Sequence, residues 1–269
     1  MSYPIVLLWL FGALFAAYLL FEGWRSLRRN RLERRLETLP FPETYRKQLQ
    51  RIAHYNALDA DERHRIERAI LRFLHTKNFS GIGLDVTEEM QLVVAFYASL
   101  MTLYRSGEPF AELSDVILYA RGFVVEEHFE EGGIVSSGEF ELDGQSSPDT
   151  VVLSWEDAMA ESYGRSPCNV IIHEFAHVLD FAGGAAEGLQ HEYDRFEQAL
   201  QQEEPPERYA RFDAYTAYNA AEFFAVSSER FFQCPGWLHE QLPALFGLLQ
   251  RYYGTDPRRW GIEAEEACD

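Results

Sequence analysis

The sequence predicts an α+β fold in which a small, mostly antiparallel sheet is flanked by helices and preceded by one N-terminal transmembrane helix. Three observations support this prediction. An uncharged apolar run fills residues 4–21, β-branched and aromatic runs cluster between residues 116 and 155, and apolar residues recur at helical spacing on both sides of that cluster. With 269 residues and 47% hydrophobic content, the chain can bury a substantial core.

The apolar run at residues 4–21 predicts the transmembrane helix. A helix of this length is just sufficient to cross the hydrocarbon core of a bilayer. Six arginines follow within residues 25–35, whereas no Lys or Arg precedes the run, so the positive-inside rule places the remaining chain in the cytoplasm. A cleaved secretion signal and a buried soluble helix are the alternatives. The positive charge lies on the wrong side for a signal, and the run has no polar face.

Changes in composition divide the chain into four segments. The predicted transmembrane anchor occupies residues 1–24, and a basic juxtamembrane helix or linker occupies residues 25–38. The main domain spans residues 39–262 and is followed by an acidic tail at residues 263–269. The net charge of the whole chain is −19, and so acidic a protein repels phosphate backbones. We therefore expect no nucleic-acid partner.

Local signals predict the elements of the main domain. Residues 78–84 contain two glycines and are expected to form a loop. Strands are predicted at residues 116–119, 123–125, 134–142 and 150–155. Two helices are predicted within residues 44–75. A single helix is predicted from the cap Thr87 to residue 104, and another from the cap Asn169 to a glycine pair at 183 and 184. Further helices are predicted at 193–200, 220–233 and 238–253.

An H-E-x-x-H pattern occupies residues 173–177 within an apolar, helix-compatible run. Residues four apart lie on one face of a helix, so His173 and His177 can reach a single ion. Glu174 lies one step round the helix and can contact a water molecule without binding the metal. This arrangement is typical of a zinc hydrolase, usually a peptidase, with Zn²⁺ as its cofactor.

A catalytic zinc needs a third protein ligand, and Glu222 is the strongest candidate. It is a lone charge in an apolar stretch, where a carboxylate is costly unless it is paired or binds a metal. An ion pair with Arg230 is the alternative for Glu222. Glu197 lies in a polar helix, where a solvated face explains it. Glu229 shares a helix face with Glu222 and is a candidate support for a ligand histidine.

Residues 169–180, Tyr215 and residues 219–232 together resemble the Mlc titration factor A family of bacterial zinc peptidases. The similarity covers about residues 39–260. The resemblance implies the following site residues: His173, His177 and Glu222 as zinc ligands, Glu174 as the catalytic acid/base, and Tyr215 as the active-site tyrosine. Position alone does not separate Tyr215 from Tyr218 as a hydrogen-bond donor to the oxyanion; the resemblance favours Tyr215.

The same resemblance implies a zincin-like metallopeptidase domain with a core like that of the anthrax lethal factor protease domain, acting on peptide or protein substrates. The best-known family member binds a transcriptional repressor, so a transcriptional regulator is a candidate partner. That member lacks an obvious anchor, and the run at residues 4–21 is therefore a departure. Combining the anchor with the family predicts a single-pass protein of the bacterial inner membrane with a cytoplasmic catalytic domain.

Three functional hypotheses follow. The first is a membrane-tethered zinc peptidase that uses a metal-activated water. The second is a membrane-anchored binding protein that sequesters a transcriptional regulator and in which the zinc has only a structural role. The third is a metal-free fold with two packed core histidines. Asp180 has two open roles, orienting a ligand histidine or capping its helix. Residues 150–155 are a candidate edge strand for pairing with an extended peptide.

Overall fold

The computed structural model describes residues 3–120, 123–125, 140–142, 144–163, 166–202, 206–209, 211–212, 216, 218–262 and 264. The chain forms two compact units, Met1–Phe41 and Pro42–Asp269. The predicted acidic tail, apart from Ala264, and residues 134–139 of the predicted strand at 134–142 lie outside the described residues.

The first unit is built on helix α1, which runs without interruption from Tyr3 to Thr38. The apolar run at residues 4–21 therefore continues directly into the arginine-rich segment. Within the residues that the structure describes, no helix combines the length and the apolarity needed to cross a membrane. The prediction of a transmembrane helix is wrong on this finding, and so is the single-pass inner-membrane location. At 18 residues the run lies at the lower limit of the length that a span requires, and strongly basic residues follow it in the same helix.

The second unit contains the other helices and the described strands. Its helices are α2 (Glu43–Leu49), α3 (Ala53–Ala57), α4 (Ala60–Thr76), α5 (Glu88–Thr102), α6 (Trp155–Tyr163), α7 (Val170–Gly183), α8 (Ala185–Leu200), α9 (Ala220–Gln233), α10 (Pro235–Gln241) and α11 (Pro243–Tyr253). Thr87 caps α5 as predicted, because its hydroxyl accepts a hydrogen bond from the amide of Met90 at 3.3 Å.

The strands form one larger and one smaller sheet. They are β1 (Asn78–Ile82), β2 (Asp115–Tyr119), β3 (Phe123–Val125), β4 (Phe140–Leu142), β5 (Gly144–Ser146) and β6 (Thr150–Ser154). The larger sheet has the order β1-β2-β6-β5, in which β1, β2 and β6 are parallel and β5 is antiparallel to β6. Strands β3 and β4 form a separate antiparallel pair. The prediction of a mostly antiparallel sheet is therefore wrong, because the larger sheet is mainly parallel.

The connections between strands explain this difference. Helix α5 lies between β1 and β2 in the chain, and a helical crossover is what parallel neighbours require. Strand β1 lies where a loop was expected. The sequence did not indicate a strand there, because β1 is an edge strand whose residues are mostly exposed and show no apolar alternation. Strand β6 lies between β2 and β5, so residues 150–155 are not an edge strand; β5 forms that edge.

Helix α7, which carries the H-E-x-x-H pattern, packs against α5, α9, β5 and β6. Phe175, between the two histidines in sequence, is fully buried. Its ring centroid lies 5.8 Å from that of Phe73 and 5.1 Å from that of Phe110. Because position 175 is on the helix face opposite positions 173 and 177, this core packing turns both histidines away from the core.

Candidate metal centre

Three side chains hold the start of α7 in place. Oδ1 of Asn169 accepts a hydrogen bond from the amide of Ile172 at 3.1 Å, which is the predicted N-cap. Glu161 accepts the amide N–H of Val170 at 2.5 Å, and Oε2 of Glu229 accepts that of Asn169 at 2.6 Å. These oxygens satisfy N–H groups that have no partner inside the helix, and the negative charge of the two carboxylates is favourable at its positive end. The start of the motif helix is therefore firmly positioned.

His173, His177 and Glu222 bring their ligand atoms together. Nε2 of His173 lies 3.2 Å from Nε2 of His177 and 3.2 Å from Oε2 of Glu222. Nε2 of His177 lies 3.4 Å from Oε1 of Glu222. A tetrahedral zinc ion with bonds of about 2.0–2.1 Å separates its ligand atoms by roughly 3.3 Å. The three residues therefore fit an ion of this size and geometry.

Glu222 reaches this cluster from the first turn of α9, which packs against α7. Asn219 caps α9, with its Oδ1 accepting the amide N–H of Glu222 at 2.9 Å. Arg230, the alternative partner in the sequence analysis, donates instead to the carbonyl oxygens of Pro167 at 2.6 Å and Arg211 at 2.8 Å. The described contacts of the Glu222 carboxylate are thus with the two histidines.

Burial and hydrogen bonding act in opposite directions on the cluster. Burial lowers the pKa of His173, but hydrogen bonds to Glu222 and Glu229 outweigh it and raise that pKa well above 6.5. Burial raises the pKa of Glu222, but hydrogen bonds from His173 and His177 outweigh it and lower that pKa to about 2. The cluster therefore stabilises positive charge among its three side chains. A divalent cation held by these residues would supply such a charge in place of the proton.

Glu229 contacts the far side of the His173 ring. Its Oε1 lies 2.9 Å from Nδ1 of His173, while Nε2 of the same ring faces the cluster. The sequence predicts that Glu229 contacts a candidate ligand histidine, and this contact with His173 is present. Histidines that bind metals commonly donate their other ring N–H to such a carboxylate.

The proposed catalytic groups differ in how far the structure describes them. Glu174 is adjacent to His173 on α7 and is only 4% exposed. Tyr215 lies outside the described residues, and its role stays a prediction. Tyr218 is 78% exposed and directly precedes Asn219, the cap of α9.

Other acids near the motif have structural contacts. Oδ1 of Asp180 accepts the amide N–H of Ala186 at 2.6 Å, so Asp180 holds an amide in the first turn of the following helix, α8. Glu197 is exposed on α8, in agreement with the solvated face expected there. The contact of Glu161 with the start of α7 has no signal in the sequence, because α6 is a polar helix in which an acid needs no special explanation.

Comparison with known proteins identifies the family. A family model described as glucose-regulated metallo-peptidase M90 matches residues 24–254. The chain belongs to this metallopeptidase family. Mlc titration factor A of Serratia proteamaculans (strain 568) is 32% identical over 231 residues, covering 79% of this chain and 88% of its own length. The protein of the same name from Yersinia pestis (strain Pestoides F) is 31% identical over 226 residues, covering 76% and 83%.

These matches confirm the resemblance that the sequence motifs carry. Membership of the M90 metallopeptidase family implies a metal, and the His173–His177–Glu222 cluster is where the described residues fit one.

Proposed function

We propose that this M90 family member is a zinc-dependent peptidase that hydrolyses peptide bonds with a metal-activated water, in a domain spanning residues 39–262. One observation carries the proposal: Nε2 of His173 and Nε2 of His177 lie 3.2 Å apart, and each lies 3.2–3.4 Å from a carboxylate oxygen of Glu222, close to the spacing that a tetrahedral zinc ion needs. Two imidazoles and one carboxylate are the donor set of catalytic zinc in peptidases.

The number of ligands favours a catalytic ion over a structural one. Structural zinc sites are closed by four protein ligands, whereas catalytic sites use three and keep one position open. Among the described residues, the group that can hold a metal consists of His173, His177 and Glu222. Their side chains retain 13–16% exposure, so the cluster is not sealed from solvent.

The H-E-x-x-H motif and the family resemblance assign the roles of the side chains. Zn²⁺, when bound, supplies Lewis acidity that lowers the pKa of a water molecule towards about 7 and polarises a peptide carbonyl. The Glu174 carboxylate takes the proton of the attacking water and returns it to the leaving amine nitrogen. Tyr215 donates a hydrogen bond to the oxygen that becomes negatively charged. His173, His177 and Glu222 hold the ion.

Zinc dependence of hydrolysis tests this function. The purified full chain is stripped with a chelator, reloaded with Zn²⁺, and assayed on a mixture of fluorogenic peptides. We expect one zinc per chain, loss of hydrolysis on stripping, and recovery when one equivalent is added. A chain that binds no zinc would support the metal-free fold instead, and zinc-loaded protein that cleaves no peptide would contradict the proposed activity.

The name of the relatives, Mlc titration factor A, favours a second candidate function. A chain that titrates Mlc would need a surface that binds this regulator, and its metal would serve only a structural role. The Glu174→Gln variant separates the two functions, because binding does not need the carboxylate. If wild type and variant bind purified Mlc equally and neither hydrolyses peptides, the binding function replaces the peptidase.

A further inference from the structure

The Glu229 carboxylate joins a ligand side chain to the backbone that precedes its helix. One oxygen, Oε1, contacts Nδ1 of His173 at 2.9 Å, and the other, Oε2, accepts the amide N–H of Asn169 at 2.6 Å. Glu229 itself is 5% exposed, so water does not compete strongly for either oxygen. One buried carboxylate therefore acts on both the ring of His173 and the start of α7.

Two neighbours of Glu229 on α9 hold the same backbone segment. Nη1 of Arg230 donates to the carbonyl oxygen of Pro167 at 2.6 Å, and Nε2 of Gln233 lies 3.5 Å from that of Cys168. Residues 167–169 are thus anchored to α9 at consecutive positions. The described contacts of Arg230 do not include the ring of His173, which makes Arg230 a matched reference for anchoring alone.

We propose that Glu229 is a positioning residue that sets the tautomer of His173 and so makes Nε2 available for the metal. This inference rests on the proposed metal site. A carboxylate can only accept hydrogen bonds, so the ring donates from Nδ1, and the proton that it must lose to bind a metal is the one on Nε2. The second oxygen, held by the Asn169 amide, prevents the carboxylate from rotating away.

The Glu229→Gln variant reverses this preference with little change in size. A glutamine has one oxygen and one NH₂ group, and the fixed backbone amide of Asn169 can only donate. The glutamine oxygen therefore faces Asn169, and its NH₂ group faces Nδ1 of His173. The ring can respond by changing tautomer, which places its proton on Nε2, the atom that faces the cluster.

Zinc affinity measured by chelator competition tests the inference on the full chain. We expect the Zn²⁺ dissociation constant of Glu229→Gln to rise by about 10–100-fold, the usual effect of losing such a supporting contact. Two variants serve as controls: Arg230→Lys disturbs the anchored segment without touching His173, and Glu67→Gln neutralises another buried, hydrogen-bonded carboxylate. Both should keep the dissociation constant within about threefold of wild type, although thermal unfolding shows lower stability.

The absorption spectrum of the Co²⁺-loaded protein gives a second readout, because its intensity reports the coordination of the ion. Glu229→Gln should change the spectrum, and the two controls should retain it. The inference is overturned if Glu229→Gln binds Zn²⁺ as tightly as wild type, or if Arg230→Lys loses as much affinity as Glu229→Gln. A wild-type protein that binds no metal would instead overturn the proposed function, and the inference with it.

Discussion

Nε2 of His173 lies 3.2 Å from Oε2 of Glu222, although the two residues are 49 positions apart in the chain. Each residue lies near the start of a helix capped by an asparagine, Asn169 for α7 and Asn219 for α9. Because α7 and α9 pack together, the two starts meet and the ligand atoms converge. The candidate metal site is therefore a product of helix packing as much as of the H-E-x-x-H pattern.

Glu222→Gln should abolish tight zinc binding. The amide has nearly the same shape as the carboxylate but lacks its charge, so the ion loses an anionic ligand. We expect the affinity for Zn²⁺ to fall by more than the roughly 10–100-fold typical of losing a supporting contact. Chelator competition measures this fall, and Glu197→Gln on the exposed face of α8 is the matched control. Equal losses in both variants would show that general charge, and not ligation, determines the affinity.

Two adjacent glycines at the end of α7 should respond oppositely to alanine. Gly184 has a φ of +59°, where an L side chain costs about 1–2 kcal/mol. Gly183 is the last helical residue, and a Cβ added there meets open space, so alanine should stabilise the protein by about 0.5–1 kcal/mol. Urea unfolding of the two variants measures the difference. Similar effects at both positions would contradict the backbone explanation.

His54 should make the folded state lose stability in mild acid. Burial lowers its pKa from 6.5 to about 4, against the opposing effect of the hydrogen bond between Nε2 and the carbonyl oxygen of Phe232. The unfolded chain therefore takes up a proton near pH 6.5 that folded His54 resists until near pH 4. This contribution is fully present above pH 6.5 and is lost as the pH falls towards 4, with a slope of at most about 1.4 kcal/mol per pH unit.

Unfolding of metal-free protein between pH 7 and 4 measures this slope. His54→Gln keeps a donor for Phe232 but does not titrate, so its stability should depend less on pH than that of wild type. His64, which is exposed on α4, provides the control variant His64→Gln with an unchanged slope. Parallel stability curves for His54→Gln and wild type would show that another group is responsible.

The helices of the site were predictable because their signals are local. Asn169 and the glycine pair predict both ends of α7, and the apolar stretch around Glu222 predicts α9. Burying an unpaired carboxylate in an apolar stretch is costly in free energy. This argument needs no knowledge of the fold, and it identified Glu222 as a candidate ligand. The convergence of Glu222 with the two histidines could not be derived from local sequence signals, because it depends on the packing of α7 against α9.

The sheet was not predictable in the same way. Parallel pairing of β1, β2 and β6 depends on long crossovers, and the exposed edge strand β1 lacks an apolar pattern. The contact of Glu161 with the amide of Val170 likewise depends on where α6 lies. Such partners are set by tertiary structure and have no signature within a short window of sequence.

Hydrolysis by Glu174→Gln tests whether a zinc ion held by His173, His177 and Glu222 serves peptide hydrolysis with Glu174 as the acid/base. The variant keeps the three ligands and should bind one zinc per chain. Its kcat/KM should fall by about 10²–10⁴-fold, the usual contribution of a general acid/base. A zinc-loaded Glu174→Gln protein that hydrolyses peptides as fast as wild type would contradict this role of Glu174.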